Sequence, residues 1–274
     1  EQNNLLNPNV KAGNQSSAAQ WKSVAQAFNR LDGRVPYIAA TGNHDYGFVS
    51  AENRDTFYDQ YFPVDKNILS QKLLKEAGTN AKGDPSLVNA SYEMVSPYGQ
   101  KLLFLVLEFA PRNETLVWAE KVINLPKYKD HQVILLTHSY LNSKNQHIEK
   151  EGYPLADANY GAAVFNKLVK PSKNIRMVFS GHIGEPNSAR GHVGFKTDVN
   201  ASGKNVQQMV FNAQALGGGW HGNGGDGWLR VLEFLPDGKT VKVKTFSPLF
   251  AISPATQHLA NRKADYDEFT FTID

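Results

Sequence analysis

Three histidines carry the first chemical signal in this sequence: His44, His138 and His182 each follow a short apolar run that reads as a buried β-strand. In open α/β sheets the loops beyond the carboxyl ends of the strands converge, and ligands bind among them. Three imidazoles brought to one edge can share a metal, since the neutral ring suits Zn, Fe, Ni and Mn, and Gly42, Ser180 and Gly181 beside them permit close approach. The richest segment is Gly42-Asn43-His44-Asp45, which sets an amide oxygen, an imidazole and a carboxylate in a row after a glycine. Each loop also has a structural reading, as a surface hydrogen-bonding histidine or an Asn/Asp-rich turn. Recurrence of one context three times favours a shared site.

The elements that must position these residues alternate. A helix is expected from Ser17, with Gln20 completing a capping box, an apolar stripe of Ala18, Trp21, Val24, Ala25, Phe28 and Leu31, and Gly33 at its end. Strands are expected at 35–40, 101–109, 132–136 and 175–179, and helices at 114–125 and 160–169, each stopped by a proline. Strand after helix after strand indicates an α/β core. Residues 46–100 read as an insertion or lid with short helices near 57–62 and 69–76. From about 203 to 274 the pattern is mostly antiparallel, with strands at 206–211, 228–234, 240–246 and 269–273 and a hairpin at Asp237-Gly238. That region is expected to form a second sheet packed on the first, within a single domain spanning 1–274.

Composition narrows the chemistry. The chain has 274 residues, 41% of them hydrophobic and 20% charged, which is enough apolar material for a packed core. Its 29 basic and 26 acidic residues leave a net charge of +3 without basic runs, so no nucleic-acid footprint is present. Cysteine is absent, which removes disulfides, thiolate zinc sites and thiol nucleophiles and leaves His, Asn, Asp and Glu as metal ligands. A cysteine-free chain tolerates an oxidising compartment. No apolar run is long enough to span a bilayer; the longest, 102–107, suits a buried strand.

Other features are weaker. Ser139 lacks a Gly-x-Ser-x-Gly elbow. The glycine-dense stretch 217–227 has neither Walker nor dinucleotide spacing and reads as a flap, with Trp220 or His221 at substrate, or as a long turn. His131, His147, His192 and His258 lie in polar surroundings and are expected at the surface. Tyr46, Phe48, Tyr58 and Tyr61 are candidates for a substrate pocket or for local core.

These motifs resemble the calcineurin-like metallophosphoesterases. Residues 41–45 look like that family's Gly-Asn-His-Asp/Glu motif, His138 like its isolated histidine after a core strand, and Gly181-His182 like the start of Gly-His-x-His. The Gly224-Gly225-Asp226-Gly227-Trp228-Leu229-Arg230 segment is similar to a bacterial, often secreted branch, which implies an extracytoplasmic location. The resemblance implies a four-layer sandwich of two mixed sheets flanked by helices. It also implies hydrolysis of small-molecule or polymeric phosphate esters at a two-metal centre of Mn, Fe, Zn or similar ions. By the same resemblance Asn43, His138 and His182 hold one ion, His44 protonates the leaving oxygen or steadies the equatorial charge, and Asp45 orients the His44 ring.

The sequence departs from the family at two places. Gly184 stands where the second histidine of Gly-His-x-His belongs, and the neighbouring Glu185 is either a substitute ligand or, as favoured here, a solvated loop acid. The family's Asp-x-His and Gly-Asp-x-x-Asp/Glu motifs do not occur before His44. On this reading the chain is an N-terminally shortened member that binds at most one ion and has impaired activity. The alternative is a non-catalytic relative that binds a ligand or partner.

Overall fold

Unbroken apolar runs at 102–107 and 133–136 suit strands in which successive residues point to opposite faces, so that both faces of a sheet are buried. A computed structural model, describing residues 11–12, 15–185, 187–218 and 224–274, shows the result. A two-residue ladder of β1 (Lys11–Ala12) and β2 (Gln15–Ser16) leads into α1 (Ser17–Asn29). After the short helices α2 (Tyr58–Tyr61) and α3 (Ile68–Leu73) come β3 (Leu74–Thr79), β4 (Pro85–Val95) and β5 (Lys101–Val106). Helix α4 (Asn113–Ile123) precedes β6 (Gln132–Leu136), and α5 (Gly161–Val164), continued by a π-helical segment at Phe165–Val169, precedes β7 (Ile175–Ser180). Then follow β8 (Val193–Val199), β9 (Asn205–Phe211), β10 (Leu229–Phe234) and β11 (Thr240–Phe246). Helix α6 (Pro248–Ala251), β12 (Asn261–Arg262) and β13 (Phe269–Thr272) complete the order.

Two sheets form. The larger is mixed and seven-stranded, in the order β3-β4-β5-β6-β7-β9-β8; β5, β6, β7 and β9 run parallel and the outer strands antiparallel. The smaller pairs β10 with β11, and β11 with both β12 and β13. One face of the large sheet, with Leu103, Leu105, Val133, Leu135 and Val178, packs on Leu116, Ala119, Val122 and Ile123 of α4 and on Val164 and Leu168. The other face, with Leu102, Ile134, Met177 and Met209, meets Val241, Val243, Phe271 and Ile273 of the small sheet. Each such fully buried aliphatic side chain contributes about 1.5–3 kcal/mol, so the parallel centre is the rigid part from which the loops project.

Several expectations change. Helix α1 is capped by Ser16, whose hydroxyl accepts the Ala19 N–H at 3.2 Å, and it ends at Asn29, leaving Leu31 outside it. Residues 35–40 are not a strand. Their backbone is held by side chains instead: Asn67 donates to Val35 O, Ser70 bonds both Tyr37 N and O, and Tyr58 donates to Ala39 O. The second half of the expected insertion at 46–100 is sheet, because β3 and β4 form its edge. The strand starting at 205 pairs with β7 in the large sheet, so the second sheet begins only at β10. The hairpin forms as expected, with Asp237 accepting the Lys239 and Thr240 N–H groups.

Candidate metal centre

The parallel strands β6 and β7 end side by side, Leu136 opposite Phe179, and deliver His138 and His182 to one edge. The 42–45 segment is brought there from the far side. Thr41 is buried and its hydroxyl accepts the Phe109 N–H at 3.2 Å, tying it to the loop after β5. A 3₁₀ turn, Asn43–Asp45, follows and is closed by the Gly42 N–H donating to Asp45 Oδ2 at 2.7 Å. Gly42 must lack a side chain, since a Cβ there would lie 2.9 Å from Cε1 and 3.0 Å from Nε2 of His138.

Three donor atoms converge. Asn43 Oδ1 lies 3.0 Å from His138 Nε2 and 3.1 Å from His182 Nδ1, and the two ring nitrogens are 3.3 Å apart. Ligands held about 2.1 Å from one ion at angles between 90° and tetrahedral stand roughly 3.0–3.4 Å apart. The triangle therefore has the dimensions of one face of a coordination shell. Among the described residues no three His, Asp, Glu or Cys side chains gather in this way; the third donor is an amide.

The outer groups choose which atoms point inward. Asn43 Nδ2 donates to Ser50 Oγ at 2.8 Å, which turns Oδ1 toward the imidazoles. Glu151 Oε1 lies 3.0 Å from His182 Nε2 and accepts the Ser139 hydroxyl at 2.9 Å. A carboxylate can only accept, so Nε2 carries a proton, and in the neutral ring Nδ1 is then the atom with a lone pair to offer. Burial works to raise the Glu151 carboxyl, but the bonds and charge from His182 and the bond from Ser139 hold it below its ordinary value. Replacing Glu151 by Gln is expected to weaken Mn²⁺ binding by about 10–100-fold, as loss of an outer partner of a metal-bound imidazole does. Unchanged affinity in an EPR titration would contradict this. His182 also sits at φ 79, a conformation costly for a non-glycine residue and found where a structure fixes a functional side chain. The fully buried Phe109 ring supports both imidazoles, its centroid 5.8 Å from that of His138 and 6.2 Å from that of His182.

Burial, reinforced by His182 and His44, pulls His138 from 6.5 down to about 3, so its ring is neutral at neutral pH. The folded value lies below the unfolded one, so the unfolded chain takes up this proton first. The associated stability is present above about pH 6.5 and is lost as pH falls toward 3. Urea unfolding of metal-free protein should therefore weaken with acid more steeply, by up to one proton, than in His138→Gln. Parallel profiles between about pH 4 and 6.5 would contradict it.

The remaining site candidates are placed differently. The His44 ring is anchored through Nδ1 to Val49 O at 2.9 Å, and Asp45 Oδ2 accepts the Gly42 N–H at the turn. Glu185 is exposed and accepts the Asn187 N–H at 3.3 Å, within its own loop, as a solvated acid does. His131, His147 and His192 are not surface residues. His131 pairs with Glu93 at 2.8 Å, His147 bonds Gln208 at 2.7 Å and stacks on Phe165, and His192 is fully buried between Asn212 O and Glu185 O. Trp220 and His221 lie outside the described residues.

A cavity of about 990 Å³ opens over the three donors, with His44, Asp45, Tyr58, Tyr153, Phe211 and Trp228 among its walls. Among the described residues no Lys or Arg lines it. Of the aromatic candidates, Tyr58 reaches this cavity, Tyr46 is core, Tyr61 stacks on Trp21 and Phe48 is exposed. Sequence reasoning missed Glu151, Ser50, Tyr153 and Phe109. Only the last had a legible signal, as the end of an apolar strand run; the others sit in polar loops without periodicity.

Comparison with known proteins gives two findings. The family model described as calcineurin-like phosphoesterase matches residues 9–186, more than half of the chain. The chain is also 28% identical over 261 residues to a Bacillus subtilis (strain 168) protein described as uncharacterized protein YvnB. That alignment covers 93% of this chain but 18% of the relative, so the chain spans under a fifth of that protein's length.

Proposed function

From the premise that the chain belongs to the calcineurin-like phosphoesterase family, a family of phosphoester hydrolases, we propose that it hydrolyses phosphate esters with a divalent cation held by Asn43, His138 and His182. The observation that carries the reading is the triangle of donor atoms with sides of 3.0, 3.1 and 3.3 Å. A cation bound there supplies Lewis-acid polarisation of a phosphoryl oxygen and a water acidic enough to act near neutral pH. The cavity supports this in its own way, because no described Lys or Arg meets the charge of a phosphate.

The chain's own groups then have separate tasks. His138 stays a neutral donor because it is buried, and Glu151 holds His182 by its Nε2, which leaves Nδ1 facing the same point. His44 acts at the leaving group. Its Nδ1–H donates to the Val49 carbonyl, so Nε2 is the atom that takes up a proton and delivers it to the departing oxygen. The test is hydrolysis of 4-nitrophenyl phosphate and bis(4-nitrophenyl) phosphate with Mn²⁺ and with EDTA. The proposal requires Mn²⁺-dependent release of nitrophenol from at least one. Mn²⁺ binding without hydrolysis of either would leave a ligand-binding relative instead. An extracytoplasmic location, implied by the resemblance of residues 224–230, belongs to the phosphoesterase proposal.

A further inference from the structure

Resting on that reading, we propose that the loop from Gly47 to Glu52 is a brace for the metal centre and that Glu52 is a positioning residue acting through Ser50 and Val49. One carboxylate oxygen, Glu52 Oε2, accepts three successive backbone N–H groups: Phe48 at 2.9 Å, Val49 at 3.0 Å and Ser50 at 3.0 Å. The carboxylate fits because Gly47, at φ 71, has no side chain; a Cβ there would stand 2.5 Å from the same oxygen. Ala51, wholly buried at φ 54, donates its N–H to Tyr46 O at 2.9 Å and fixes the loop's return.

Core packing does not explain this arrangement, for Phe48 and Val49 are 44% and 50% exposed. What the loop delivers is two acceptors. Ser50 Oγ receives Asn43 Nδ2 at 2.8 Å, and Val49 O receives His44 Nδ1 at 2.9 Å. Each settles a choice its partner cannot make alone. An asparagine amide can present nitrogen or oxygen to the imidazoles, and only oxygen is a ligand; a neutral imidazole can carry its proton on either nitrogen. Tyr153 adjoins the network, its side chain facing Ser50 and its ring packing on Phe109. Loss of Glu52 is therefore expected to be felt at Asn43, which it does not touch.

The experiment titrates Mn²⁺ by EPR into the wild type, Ser50→Ala, Ser50→Thr, Glu52→Ala, Glu52→Gln and the Ser50→Ala/Glu52→Ala double variant. We expect about tenfold weaker binding in Ser50→Ala, a smaller loss in Glu52→Ala, and near-normal binding in Ser50→Thr and Glu52→Gln, which keep an acceptor. The double variant should bind no worse than Ser50→Ala, since both act through one bond. Additive losses, or a Glu52→Ala affinity equal to wild type, would overturn the brace. A second readout needs no metal: hydrogen exchange at Asn43 Nδ2 and at the Phe48, Val49 and Ser50 amides, followed by NMR. Exchange must quicken at all four in Glu52→Ala, and unchanged exchange at Asn43 would overturn the proposal. Failure of the wild type to take up Mn²⁺ would defeat the metal reading, and the brace would then stand or fall on exchange.

Discussion

His138→Ala is expected to bind Mn²⁺ at least about 100-fold more weakly than the wild type and to lose about 10³-fold or more in phosphoesterase rate. The loss follows from what the ring does. It supplies one of three donors, none of them a carboxylate, so two ligands remain, and among the described residues no lysine or arginine lines the cavity to meet the phosphate charge. Removing the ring also empties space beneath Gly42 and beside Phe109, so stability must be followed separately. His138→Gln, which keeps volume and a polar atom, serves as the second variant and should also lose the metal. Retention of full affinity in both folded variants would remove His138 from the site.

The second large effect separates metal from chemistry. His44→Ala is expected to lower kcat by about 10²–10⁴-fold while Mn²⁺ affinity stays within a few-fold of wild type. His44 is not part of the donor triangle; its ring is fixed by the Val49 carbonyl, and the atom left for catalysis is Nε2. The deficit should depend on the leaving group. Esters of acidic phenols need little protonation and should lose least, and alkyl esters should lose most. Equal deficits across such a series would mean that His44 steadies charge on the phosphoryl group and gives no proton.

The convergence of His138 and His182 was legible because strand ends define an edge, and residues just beyond parallel neighbours must meet there; Asn43 joins them although the strand expected before it does not form. What holds them was not. Glu151 and Ser50 lie in polar loops, and their bonds to His182 and Asn43 depend on tertiary geometry that no local pattern encodes. The β3–β4 edge escaped notice because Ser86, Asn89 and Ser91 are buried within β4, so polarity did not alternate as it does in a half-exposed strand. Residues 35–40 show the reverse error. An apolar run promised a strand, but side chains of Tyr58, Asn67 and Ser70 satisfy its backbone in place of a ladder. Buried histidines misled for a related reason: imidazole has two polar atoms that a core can pair, as Asn212 and Glu185 do for His192.

The most direct test is an anomalous difference map from crystals of the chain grown with Mn²⁺. The account predicts a peak within bonding distance of Asn43 Oδ1, His138 Nε2 and His182 Nδ1 together. Ordered manganese bound elsewhere, or none at these three atoms at saturating Mn²⁺, would contradict it.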